Sequence, residues 1–226
     1  MKKILVPLDG SELAEVVLVY AKELATRLDL DVILLHIASL LDQGLMPVHR
    51  AYVEHVAEIV KRQSNEVRKK IGAEGREIVV KAELTTGYPP EEILRYAEEN
   101  SVDFIILATH GRSGVRRWAL GSVADKVLRV SKVPILLVRA GIKKETPYDQ
   151  WSSRTILVPL DGSVLSESVL PYVEGLARQR GAEPASVVLL RVCEPLAIPY
   201  YATPDLPGLP LNWGDYMERE TARCTL

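Results

Sequence analysis

The sequence predicts an α/β protein, an open doubly wound parallel sheet of five strands followed by a partial repeat of the same fold. Three observations predict it. Short, nearly continuous apolar runs alternate with amphipathic stretches of helical period, the pattern of strands buried on both faces and joined by crossover helices. The opening Ile4-Leu5-Val6-Pro7-Leu8-Asp9-Gly10-Ser11 returns unchanged as Ile156-Leu157-Val158-Pro159-Leu160-Asp161-Gly162-Ser163, and Val32–Ile37 is echoed by Val187–Val192. Repetition at so long a spacing means duplicated domains rather than a solenoid. The second copy reaches Leu226 before supplying counterparts of the later elements, so one complete unit and one partial unit are expected.

Each element has its own signal. Ile4–Leu8 reads as the first buried strand, broken by Asp9-Gly10-Ser11, with Ser11 able to cap the helix that follows. Leu13, Val17, Ala21, Leu24 and Leu28 recur at helical spacing across Ser11–Leu28, with Glu12, Glu15, Lys22 and Glu23 on the remaining face. Val32–Ile37 is the second strand, Ala38–Arg50 an irregular stretch, and Tyr52–Ile71 a longer polar helix. Ile78–Thr85 is the third strand. Gly87-Tyr88-Pro89-Pro90-Glu91-Glu92 then turns into a proline-started helix running to about Asn100. Phe104–Ala108 is the fourth strand, Thr109–Gly121 a loop rich in glycine and arginine, Ser122–Val130 a short helix and Val133–Arg139 the fifth strand. The first unit is expected over residues 1–140, a linker over 141–154 and the partial unit over 155–226. That last unit offers strand Ile156–Leu160, helix Ser163–Arg178 with Pro171 expected to bend it or perturb one turn, and strand Val187–Val192. A proline-rich stretch follows, and Asp215–Leu226 reads as the start of another helix.

Bulk properties narrow the function. A formal charge of -2, from 28 Lys+Arg against 30 Asp+Glu, gives no support to nucleic-acid binding. The two cysteines, Cys193 and Cys224, are too few for a disulfide scaffold and lack metal-ligand spacing, which suits a reducing cytoplasm. No apolar run approaches the ~20 residues that span a bilayer, so no membrane partner is expected.

The residues with chemical promise are Thr109-His110-Gly111-Arg112-Ser113-Gly114 and, beyond Val115–Leu120, Gly121-Ser122. A buried strand delivers this loop to the carboxyl edge of the sheet, where open α/β folds bind ligands, and a helix begins at its far end. Glycines let backbone N–H groups approach an anion, the helix amino terminus adds its positive end, and Arg112 can add a charged hydrogen bond. Asp9 ends the first strand on the same edge, within reach of a sugar hydroxyl. Glycine loops serve equally well as turns; Asp9 beside this one tips the reading toward a nucleotide site. His110 lacks a local orienting carboxylate, His36 reads as a core-edge residue, and His49 and His55 read as solvent-facing. Neither a nucleophile elbow nor a Walker A loop is present.

The strand Ile4–Leu8 with its Asp9-Gly10-Ser11 turn, Leu34-Leu35-His36-Ile37, the Thr109–Gly114 segment, Leu120-Gly121-Ser122-Val123 and Val133-Pro134-Ile135-Leu136-Leu137-Val138 together resemble the universal stress protein family, over residues 1–139 and again over roughly 154–192. The resemblance implies a Rossmann-like, adenine-nucleotide-binding sheet of order 3-2-1-4-5. In the ATP-binding branch the loop reads glycine, two residues, glycine, nine residues, glycine, then serine or threonine. Gly111, Gly121 and Ser122 match, while Ala108 stands where the first glycine belongs. The resemblance places Pro7 and Asp9 near adenine and ribose, Ile37 at adenine through its backbone, and Gly111, Arg112, Gly121, Ser122 and Val123 around ribose and phosphates. It implies ATP as ligand, with or without Mg2+, and a homodimer through Val133–Arg139. A regulatory, stress-responsive ATP-binding protein is therefore expected, at most a slow ATPase; the alternative is a dimerisation or adaptor module that binds no nucleotide.

Overall fold

The computed structural model describes residues 3–73, 76–111, 120–139, 155–178 and 185–192. The chain forms two compact units, one built on five strands and the other on two. In the first, β1 (Lys3–Leu8), β2 (Asp31–Ala38), β3 (Val80–Thr86), β4 (Phe104–Ala108) and β5 (Ile135–Val138) make a single sheet in the expected order β3-β2-β1-β4-β5. Every neighbouring pair is parallel. The central strands are apolar because both faces are covered. Alternation sends Leu5, Ile33, Leu35, Ile105 and Leu107 to one face, where α4 (Pro89–Glu99) and α5 (Ser122–Val130) add Ile93, Ala97 and Val127. Ile4, Val6, Val32, Leu34 and Ile106 are equally buried. In addition, α2 (Val17–Leu28) contacts β1 and β2, and α3 (Met46–Lys70) contacts β2 and β3.

The helix expected over Ser11–Leu28 is two helices, α1 (Glu12–Glu15) and α2, divided at Val16. Ser11 caps the first as expected, its hydroxyl accepting from the Ala14 N–H. Glu23, placed by its spacing on the polar face, is buried and pairs with buried Arg27 at 3.0 Å. Bonds from Thr26 Oγ1 to Ser64 O and from Lys22 Nζ to Gln63 Oε1 show why: α3 lies along α2 and encloses it beyond its sheet-facing side. The helix expected from Tyr52 already begins at Met46, after a short 3₁₀ turn at Gln43–Leu45; Pro47, in the first turn, is the start signal. The fifth strand is shorter than the expected Val133–Arg139. Ser131 Oγ donates to Val133 O and accepts from Val133 N, which takes both backbone groups out of the ladder.

The second unit contains β6 (Thr155–Pro159), α6 (Val164–Glu167), α7 (Leu170–Ala177) and β7 (Ser186–Leu190), with β6 and β7 parallel. It repeats the element order of β1 to β2, down to the divided helix. The helix expected over Ser163–Arg178 is interrupted at Ser168 and Val169, the perturbed turn expected near Pro171; Pro171 itself is the second residue of α7, where its missing N–H has no intrahelical partner to lose. The turn after each first strand is also shared. Gly10 and Gly162 both hold positive φ, at 80° and 85°, and Ser163 caps α6 as Ser11 caps α1. Hydrogen bonding from the Ser163 side chain, then from Ser166, holds the Asp161 carboxyl down to about 2.

The expected linker at 141–154, Arg112 with the rest of 112–119, the proline-rich run and Asp215–Leu226 lie outside the described residues. Among the described residues, no helix is long and apolar enough to cross a membrane.

Candidate functional site

Parallel strands bring the residues after β1, β2, β3 and β4 to one edge of the sheet. A cavity of about 520 Å³ opens there, a size suited to a small organic ligand. Of the residues singled out from the sequence, Pro7, Asp9, Ile37, Ala108, Gly111, Gly121, Ser122 and Val123 all line it. Arg112 falls outside the described residues.

Asp9 is oriented by the turn it opens. Its Oδ1 accepts from the Ser11 N–H at 2.9 Å and from the Ser11 hydroxyl at 2.6 Å. The carboxylate lies directly over Gly111: a Cβ on Gly111 would stand 2.0 Å from Asp9 Oδ2, so only glycine fits unless the carboxylate moves. The far end of the loop is drawn in as tightly. Gly121 N–H donates to Thr109 O at 2.9 Å, and a Cβ there would meet that same oxygen at 3.0 Å. Ala108 is the last residue of β4, paired with Val138, and does not have positive φ. The alanine is therefore unstrained in the backbone, and its methyl group only takes up space.

The two helices that begin at the cavity differ in charge. Gly121 is the N-cap of α5 and has no side chain to bond the helix end, and the first intrahelical donor is Asp125 N–H, to Gly121 O at 2.8 Å. The N–H groups of Ser122, Val123 and Ala124 thus have no acceptor within the helix, and all three residues line the cavity. This is the electropositive end of a nine-residue helix. By contrast, α4 begins with Pro89 and Pro90, which carry no N–H, and has Glu91 and Glu92 in its first turn. Glu92 is held below the usual carboxylate range, first by its bond to Arg95, so it is a carboxylate at neutral pH. An anion is favoured at α5 and an uncharged group beside Pro89 and Ile93.

Sequence reasoning missed part of the wall. His49, expected to face solvent, turns inward: its Nδ1 is 2.9 Å from His36 Nε2, and His36 Nδ1 is 2.9 Å from Leu8 O. Both rings border the cavity, with Asp42, Tyr88 and Thr109. The two histidine rings are close to parallel, their planes 26° apart and their centroids 4.8 Å apart. Once α3 is extended back to Met46, His49 falls three residues before Tyr52 and four before Val53, on the face turned to the sheet. His110 bonds Thr109 Oγ1 through Nδ1 at 3.2 Å, and its buried Nε2 has no hydrogen-bond partner among the described residues. His36 is buried at the strand end as expected, and His55 is exposed.

Comparison with known proteins agrees with this architecture. The universal stress protein family model matches residues 1–139. Universal stress protein MJ0531 of Methanocaldococcus jannaschii is 31% identical over 140 residues, covering 61% of this chain and 82% of that protein. Universal stress protein MJ0577 of the same organism is 33% identical over 154 residues, covering 61% of this chain and 94% of that protein. The crystal structure of a universal stress protein from Archaeoglobus fulgidus has a similar fold, with a TM-score of 0.55 and 22% identity over 99% of this chain and 75% of its own. Sheet order, the Asp9 turn, the Gly121–Thr109 bond and a family match over residues 1–139 converge: this chain belongs to the universal stress protein family.

Proposed function

We propose that the first unit binds one adenine nucleotide, ATP foremost, and that binding serves regulation rather than rapid turnover. The observation that carries this is the pairing of the uncapped start of α5 with Asp9 across one cavity at the carboxyl edge of the sheet. A nucleotide needs a site for anionic phosphates, an acceptor for ribose hydroxyls and an apolar slot for its base. The N–H groups of Ser122, Val123 and Ala124 suit the first, the Asp9 carboxylate the second, and the wall of Pro7, Ile37 and Ile93 the third. Sheet order supports this sequence of subsites. β4 and β2 flank β1, about 10 Å apart at two strand spacings, and ribose over β1 would separate base from phosphates by such a distance. Within this reading Arg112 is a further phosphate ligand, and Mg2+ would be held by the phosphates rather than by a cluster of acids. Among the described residues strand β5 pairs with β4 alone, and its other edge suits a second copy of the chain, so a cytoplasmic homodimer is part of the proposal.

Isothermal titration of ATP into nucleotide-free protein, with and without Mg2+, tests it. Saturable binding near one ATP per chain is expected, with a loss of at least about tenfold in Gly111→Ala as the new methyl displaces the Asp9 carboxylate. Folded protein that gives no saturable binding of ATP, ADP or AMP would overturn the nucleotide reading in favour of the adaptor.

A further inference from the structure

Resting on that nucleotide reading, we infer that Tyr88 is a preformed aromatic platform on which the base of the nucleotide stacks. Tyr88 borders the cavity and yet is 54% exposed, a large aromatic left at its mouth. The backbone that carries it is fixed on both sides. Gly87 N–H donates to Ala38 O at 3.2 Å, tying the turn to the end of β2. Gly87 holds φ of 149°, and a Cβ there would stand 2.8 Å from Glu92 Cγ, so the turn is built around glycine. Pro89 then locks the next φ angle as α4 begins.

The ring itself is held from α5. Lys126 Nζ lies 4.8 Å from the Tyr88 ring centroid and 3.4 Å from Glu91 Oε1, so the lysine bridges α4 and α5 with its charge over the aromatic face. A cation over one face draws electron density from the ring and improves the other face for stacking against an electron-rich purine. A rigid, pre-placed aromatic costs little entropy on binding. Its position also suits a base. Tyr88 follows β3, on the far side of β1 from the loop after β4, and it caps α4, the helix start that offers an anion no N–H groups. The platform reads the π-face of the ligand, so it supports purine binding without choosing among purines. Choice of adenine then falls to groups at the base edge, such as the backbone of Ile37.

The test measures affinity for ATP and, by competition, for inorganic triphosphate, which has the charge but no base. The proteins are the full chain and its Tyr88→Ala, Tyr88→Phe and Tyr88→Trp variants, each checked for unchanged thermal unfolding. Tyr88→Ala is expected to lose about tenfold in ATP affinity, as removal of a stacking aromatic does, and to hold triphosphate as the parent does. Tyr88→Phe and Tyr88→Trp are expected to keep ATP, with emission of the new tryptophan quenched on binding. Equal ATP affinity in Tyr88→Ala, or equal losses for ATP and triphosphate, would overturn the platform and leave the nucleotide reading standing. A parent protein that binds triphosphate but no nucleotide, or neither, would overturn that reading and the platform with it.

Discussion

A short chain of hydrogen bonds runs from the end of β1 into α3, and its direction is set by one atom. Leu8 O can only accept, so His36 Nδ1 must carry a proton. Where the His36 ring is neutral, its Nε2 is then the acceptor and His49 Nδ1 the donor. His49 Nε2 is buried, has no hydrogen bond among the described residues, and lies 3.9 Å from Asp42 Oδ2. The pair thus fixes the first turns of α3 over the carboxyl edge, and Tyr52 reinforces it by meeting His36 edge-on and donating to Glu15 Oε1. His49→Phe removes the Nδ1 donor that meets the buried His36 Nε2. A loss of about 1–3 kcal/mol is expected in urea unfolding, whereas a solvent-facing histidine would give a change within about 0.5 kcal/mol. At this scale the sequence was most informative where a residue's role is local. Asp9, Ser11 and the cavity glycines act through neighbours in the same turn or loop, or across one strand. His49 needed knowledge of where α3 starts, and Glu23 needed knowledge that a second helix lies along α2.

Strands and helices were legible to within a few residues because burial on both faces writes them as plain apolar runs. The breaks were not. Nothing in the helical spacing of Leu13, Val17, Ala21 and Leu24 announces a division at Val16, since hydrophobic period survives an interrupted hydrogen-bond ladder. The second copy holds the missing clue. Its Pro171 aligns with Val19 of the first, and a proline there is tolerable only if a helix starts just before it. In α7 that is the arrangement found, after Ser168 N–H bonds back to both Val164 O and Leu165 O. Pro171→Ala separates the two readings by sign. In a continuous helix, removing the proline would stabilise by about 3 kcal/mol. At the start of α7 it frees the unfolded chain instead, so stability is expected to stay level or fall by up to about 1 kcal/mol. Equilibrium unfolding of the full chain, followed by circular dichroism, decides between them.

At the scale of the molecule, the two units carry the same opening sequence into different surroundings. In the first, β1 and β2 are the centre of the sheet, and Leu5, Val6, Leu34 and Leu35 are wholly excluded from water. In the second, β6 and β7 are the only strands among the described residues, and Leu157, Leu189 and Val188 remain 58%, 59% and 44% exposed. A parallel pair with α7 against it but most of its side chains exposed, Val158 apart, has little burial to set against the entropy of ordering it. The sequence repeat could promise the same fold twice; it could not promise the same stability, because that depends on β3, β4, α4 and α5, whose counterparts are not seen among the described residues of the second unit. The cavity has the same dependence. Asp161 keeps its turn, but Gly111, Gly121 and the start of α5 have no described equivalent beside it, which is why one nucleotide per chain is proposed rather than two. Hydrogen exchange on the full protein reads the asymmetry directly. Amides of β1 and β4 are expected to exchange only through the largest opening of the first unit, while those of β6 and β7 exchange through small local openings, faster by a factor of at least about a hundred. Equal protection in β6 and β1 would mean that the apolar face of the second unit is covered in solution, and the partial repeat would then count as a stably packed part of the protein.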